Sequence, residues 1–188
     1  MVPGEKYFKG ILSRIRDKAP CSVIIKNTSL TDSTFVDGFL STEGSILEQS
    51  KILPVRVDCG EGEDSLSIWK CIASAVQEQM PKVFEGSELT EEYFSIISGT
   101  EDTDDVQSYL IDILGELSEE KGWTVLLILE NFDHVIEVMP EFDVMKIREM
   151  TETLAVMTVT KTSLEELCEQ QYDNVYFANQ FVDPSIID

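Results

Sequence analysis

The stretch from Thr124 to Asp133, written TVLLILENFD, narrows most sharply what this chain can fold into. An uninterrupted apolar run from Val125 to Leu129 with polar residues on either side reads as a strand buried on both faces, as the central strands of parallel sheets are. A strand with one wet face would alternate instead. Parallel neighbours need helical crossovers, so the run also implies helices packed on the sheet. In an open parallel sheet ligands bind beyond the carboxyl ends of the strands, and that is where Glu130, Asn131 and Asp133 fall.

The length of 188 residues with 43% hydrophobic content suits one domain with a full core, so residues 1–188 are expected to form a single unit. Acidic residues number 36 against 14 basic ones, a formal net charge of -22. Such a surface repels a phosphate backbone and an anionic membrane, which argues against direct nucleic-acid or membrane binding and leaves a protein as the expected partner. The amino end, MVPGEKYFKG, has no apolar core of signal-peptide length, and no stretch approaches eighteen uninterrupted apolar residues; a cytoplasmic location is expected. Cys21, Cys59, Cys71 and Cys168 form no CxxC pair and His134 has no ligand spacing to any of them, so buried free thiols are expected in place of a zinc site.

Taken in order, Tyr7 to Lys18 carries Phe8, Ile11, Leu12 and Ile15 on one helical stripe, and Pro20 stops it. Cys21 to Lys26 is a short strand, NTSLTDS a polar loop, and a helix starts at about Asp32. Lys51 to Cys59 is a second strand, punctuated by Gly60 and Gly62. A helix follows from Asp64 to Met80 with Leu66, Trp69, Ile72, Ala73, Val76 and Met80 on its apolar stripe and Asp64 or Ser65 as cap. Residues 81–105 turn acidic and lose periodicity except at Tyr93 to Ile97, which predicts an insertion or lid-like excursion; GTEDTDD at 99–105 reads as a solvated loop without the calcium-loop pattern. Val106 to Lys121 is a helix closed by Gly122, leading into the central strand. Beyond it come a loop from His134 to Glu141, a helix from Phe142 to Met150, a strand from Leu154 to Thr160, a helix capped by Ser163 with Glu166 three residues on, and a last strand from Val175 to Phe181. The alternation predicts an α/β chain: a three-layer α/β/α domain on a mainly parallel five-stranded sheet.

Four blocks of this order resemble the nucleotide-binding core of AAA+ and STAND-type P-loop ATPases, in particular the group related to origin-recognition ATPases. They are the strand, loop and helix at 23–40; VRVDCGEGEDSLSIWKCIASAV; LLILENFDHV with FDVMKIREM; and LAVMTVTKTSLEEL with YDNVYFANQF. The resemblance implies that the central strand is a Walker B strand, whose metal-holding and water-orienting carboxylates would fall at Glu130 and Asn131. It implies a sensor-like role for Thr160. It places the phosphate loop at Lys26, Asn27, Thr28, Ser29, Leu30, Thr31, Asp32 and Ser33, with Thr34 beside it. Magnesium, if held, would be held by Glu130.

The departures from that pattern set the functional expectation. A phosphate loop of the form G-x-x-x-x-G-K-[ST] uses its glycines to bring backbone N–H groups to the phosphates, its lysine to neutralise them and its hydroxyl to hold magnesium. Here Lys26 and Thr31 stand at the glycine positions, Asp32 at the lysine, and Ser33 alone matches. Asn131 replaces the water-orienting carboxylate. The expectation is a pseudo-ATPase without catalytic residues or cofactor, serving protein recognition, and ending before the helical lid such ATPases carry. One alternative is an ATPase using ATP and magnesium through an unconventional loop that recruits Lys26 or Lys161. Another is an acidic nucleic-acid mimic, which requires the acids to lie in rows.

Overall fold

A computed structural model of the chain describes residues 4–19, 21–25, 31–83, 88–150 and 154–162. Its strands are β1 (Cys21–Ile24), β2 (Ile52–Asp58), β3 (Thr124–Glu130) and β4 (Ala155–Thr160). They form a four-stranded sheet in the order β1-β4-β3-β2 with every pairing parallel. Around it run α1 (Glu5–Arg16), α2 (Asp32–Gln49), α3 (Ser65–Gln79), a 3-10 turn at Met80–Lys82, α4 (Glu88–Gly99), α5 (Thr103–Lys121), α6 (Phe132–Val138) and α7 (Glu141–Glu149). The chain is thus α/β with a parallel sheet, as the central run predicts.

That run is apolar at every position because both faces of β3 are covered. Val125, Leu127 and Leu129 enter one cluster with residues of α3, α5 and α6, whereas Leu126 and Ile128 enter another with Phe8, Ile11, Phe35 and Phe39 of α1 and α2. In the second cluster Phe8 meets Phe35 and Phe39 edge-on, with ring centroids 5.6 and 5.5 Å apart. Trp69 is fully buried in the first. The cap expected for α3 is present: Asp64 accepts the Ser67 N–H at 2.8 Å, while Ser67 Oγ accepts the Asp64 N–H at 3.0 Å.

Several expectations need correction. The supposed excursion at 81–105 contains α4, whose Phe94 and Ile97 are buried in the core. Its third inward residue, Thr90, hid the helical period, because a hydroxyl does not read as apolar; it bonds Glu116 of α5. The acidic run at 99–105 is not all loop. α5 begins at Thr103, Asp102 caps it by accepting the Asp104 N–H at 2.9 Å, and Asp104 and Asp105 occupy the first turn, where the helix dipole favours anions. The supposed loop after His134 is largely α6, and Pro140 opens α7, accepting the N–H of Asp143 and Val144 through its carbonyl at 3.0 and 3.2 Å. Cys21 and Cys59 are buried, but Cys71 is exposed. Burial pushes the Cys21 thiol up to about 12. The helix from Ser163, the strand from Val175 to Phe181 and Cys168 lie outside the described residues. No helix among the described residues is long and apolar enough to cross a membrane.

Candidate functional site

The crossover from β1 to β2 runs through α2 on one face of the sheet, while α3 to α7 connect the remaining strands on the other. Because β1 and β4 are neighbours whose connections lie on opposite faces, their carboxyl ends open a crevice of the kind that holds ligands in open α/β sheets. Pairing continues slightly past the strands, with Ile25 N–H donating to Thr160 O at 2.8 Å and Cys59 N–H to Glu130 O at 3.0 Å. The amino end of α2 faces the same region.

Glu130 closes β3 and its side chain is 5% exposed. Arg56 of β2 donates Nε to Glu130 Oε1 at 2.8 Å and Nη2 to Oε2 at 3.2 Å, a bidentate pair. Ser33 Oγ donates to the same Oε2 at 2.9 Å. Arg56 Nη1 also meets Asp37 Oδ1, one turn further along α2, at 2.5 Å. The bond to Glu130, with the attraction of Asp37 added, raises the guanidinium above its ordinary value.

Asp32 opens α2 with only 4% exposure. Its Oδ2 accepts the Asn131 backbone N–H at 2.9 Å, and its Oδ1 has no hydrogen-bond partner. Burial pushes the carboxyl above its ordinary value; the Asn131 N–H and Lys161 pull against that, while Asp133 and Glu130 reinforce it. Asn131 sits in the left-handed region at φ 54, which asparagine tolerates better than most residues. Its side-chain amide donates to Asp58 Oδ1 at 2.7 Å, where the Gly60 N–H also donates at 2.9 Å. Asn131 is thereby tied to the β2 loop.

Thr31 caps α2, its Oγ1 accepting the Thr34 N–H at 3.1 Å and lying 2.7 Å from Thr34 Oγ1. Thr160 is fully buried with an unpartnered hydroxyl. Lys26 lies outside the described residues. Asp133 accepts the backbone N–H of Lys161 and Thr162, both at 2.9 Å, and so joins the ends of β3 and β4. Beside these contacts lies a cleft of about 350 Å³ lined by Gly60, Asn131, Asp133, His134, Glu137, Lys161 and Thr162. His134 Nε2 donates to Gly62 O at 2.6 Å, which turns Nδ1 toward Glu137 Oε2 at 3.7 Å. Among the described residues no three His, Cys, Asp or Glu side chains are grouped to hold a metal ion.

The structure thus joins Ser33 to Glu130, Asp32 to Asn131 and Thr31 to Thr34, all expected at one site. Sequence reasoning missed Arg56, Asp37 and Asp58. The available signal for Arg56 was a charged residue inside a strand, ILPVRVD, that is otherwise apolar up to its closing Asp58, which demands a partner.

No protein-family model matches the sequence, and no curated protein matches it. Solved structures do. The Aeropyrum pernix ORC1 protein in complex with DNA aligns with 100% of this chain and 46% of its own length, at TM-score 0.68 and 13% identity. The ADP form of the Aeropyrum pernix ORC2 protein aligns with 96% of this chain and 46% of its own, at TM-score 0.65 and 13% identity. Cdc6p from Pyrobaculum aerophilum aligns with 97% and 45%, at TM-score 0.55 and 10% identity. The likeness is one of fold, that of the ORC and Cdc6 proteins. The chain spans less than half the length of each of these proteins.

Proposed function

We propose that the chain is a non-catalytic P-loop NTPase-like domain, a pseudo-ATPase related to the origin-recognition group, acting as a cytoplasmic module that recognises a protein partner. The observation that carries this is the inward placement of Asp32 at the position where a phosphate loop has its lysine, with Glu130 beyond it already engaged by Arg56 and Ser33. Two unit charges at ~4 Å in a surface-like dielectric interact by about 4 kcal/mol, and here the sign against a phosphate is repulsive. Asn131, at the water-orienting position, uses its amide to bind Asp58. In this reading the domain has three layers on a five-stranded sheet. The similar Aeropyrum ORC1 is described in complex with DNA, and a Drosophila ORC, at 6% identity and TM-score 0.60, with DNA and Cdc6. A net charge of -22 opposes the DNA contact for this chain and leaves the protein contact.

The Ser33 to Glu130 contact at 2.9 Å favours a second reading, in which an unconventional loop still holds ATP and magnesium. Titration of ATP, ADP and GTP with magnesium, followed by heat and by thermal unfolding, separates the two. A ligand of the folded state at a hundredfold excess over its dissociation constant adds about 2.7 kcal/mol of stability. The expected outcome is no heat and no shift; micromolar binding of any of the three overturns the non-catalytic reading.

A further inference from the structure

Three contacts in reverse order along α4 and α5 show that the two helices pack antiparallel. Thr90 bonds Glu116, the Tyr93 and Tyr109 rings meet with centroids 4.9 Å apart, and Thr100 Oγ1, just past α4, donates to Asp105 Oδ2 at 3.1 Å. The outer side of this seam is apolar. Leu89, Tyr93 and Ile96 recur at the four- and three-residue spacing that puts them on one flank of α4. Tyr93, Ile96 and Tyr109 are half-buried, whereas Leu89 is 49% exposed and joins neither core cluster. Charge gathers around the same seam: residues 88–121 carry eleven acidic side chains and one basic, Lys121. Glu88 and Glu92 on α4, like Asp112 and Glu116 on α5, stand four residues apart, so each pair repels across one helical turn. No lysine or arginine stands three or four places from any of the four to relieve them. Like charges kept around an exposed leucine and two tyrosines destabilise the free chain, and a ligand both cationic and apolar removes that cost.

We propose that the α4–α5 seam is the surface on which a protein partner docks, and that the partner presents an apolar stripe flanked by lysine or arginine. The proposal rests on the protein-recognition reading above and deepens it with a surface and a partner chemistry. Charge selects among the possible occupants. A second copy of the chain brings the same acids to the seam, residues 163–188 contain no lysine or arginine, and nucleic acid or an anionic membrane carries the wrong sign. A basic amphipathic segment instead lays its aliphatic side chains on Leu89, Tyr93 and Ile96. Its cations then fall among the acids of the two helices, where the tyrosine faces add attraction.

The test uses the full chain and a labelled peptide made of the repeat LKKLLKL, with binding read by fluorescence anisotropy at about 0.15 M salt and located by amide NMR shifts. The unaltered chain is compared with Leu89→Ser, with the seam pair Glu92→Lys and Asp112→Lys, and with a control pair, Asp17→Lys and Glu48→Lys, beyond the opposite face of the sheet. All five side chains are exposed, and thermal unfolding checks that each variant is folded. The two pairs change the net charge equally, so general attraction of a cationic peptide to an acidic protein weakens alike in both. The expected result is a loss of about tenfold in the seam pair, about threefold in Leu89→Ser and no more than about twofold in the control pair. Shifts are expected to centre on 88–96 and 109–116. Equal losses in the two pairs, unchanged binding by Leu89→Ser, shifts centred elsewhere or no binding by the unaltered chain overturns the proposal. A dimer of the unaltered chain that Leu89→Ser dissolves also overturns it, because the occupant is then a second copy. The two readings fail separately, since nucleotide binding counts against the non-catalytic reading whatever the peptide does at the seam.

Discussion

Exchanging Arg56 and Glu130 for methionine, singly and together, tests whether the buried pair is one coupled unit. Arg56→Met removes the guanidinium from a carboxylate whose side chain is 5% exposed and leaves it Ser33 Oγ at 2.9 Å. Breaking a buried pair in this direction costs about 3–5 kcal/mol. Glu130→Met leaves the opposite orphan, but Arg56 is 34% exposed and keeps Asp37, so the loss is that of hydrogen bonds to a charged group, about 1.5–3 kcal/mol. The double variant replaces both partners by apolar chains of similar length and is expected within about 1 kcal/mol of the unaltered protein. The single losses sum to about 4.5–8 kcal/mol, so the coupling is at least about 3.5 kcal/mol, above the usual range for contacting residues. Urea unfolding reads it directly: with a slope of about 2 kcal/mol per molar, Arg56→Met lowers the midpoint by more than about 1 M. Additive single effects, or a larger loss for Glu130→Met than for Arg56→Met, would refute the argument.

Asp32 predicts a pH signature. Because its folded carboxyl is raised by burial from 3.8, the stability associated with its protonation is complete below that value and is lost as pH rises through the folded one. Asp32→Asn keeps an acceptor for the Asn131 N–H without the charge, so it is expected to unfold at higher urea than the unaltered chain near neutrality, with the gap closing on acidification; a gap constant over pH contradicts this. Gly62→Ala addresses the loop that Gly62 O shares with His134. An added Cβ would lie 2.3 Å from Ile68 Cγ1, and Ile68 is buried, so overpacking is expected to cost about 1–3 kcal/mol in the same urea assay, and an unchanged midpoint would show that the loop yields.

Elements whose signal is apolar were legible in the sequence. β3 announced burial on both faces, and α3 showed both stripe and cap. Elements that begin in acids were not. Asp102, Asp104 and Asp105 look like a solvated loop until the helix that follows them is seen to use them as cap and dipole partners. α4 was obscured because Thr90 stands where an apolar residue would be expected. The site was half legible for a related reason: a sequence shows which residues carry charge but not which charges meet. Glu130 could be placed at the end of β3, but Arg56, 74 residues away, could not be paired with it in advance. Nor could the sequence show that the Asp133 carboxylate serves two backbone N–H groups beyond β4.

The position of β1 has a consequence for the birth of the chain. Its only neighbour among the described strands is β4, and the side chains of Ser22 and Thr158 that bond across them are 136 residues apart. At about 5–20 residues per second of synthesis, β1 therefore waits roughly 7–27 s for the strand it pairs with. During that interval Phe8, Phe35 and Phe39 have each other but lack the wall formed by Leu126, Ile128 and Met157. The segment bearing α1, β1 and α2 therefore leaves the ribosome as an unfinished hydrophobic surface, completed only when β3 and β4 arrive.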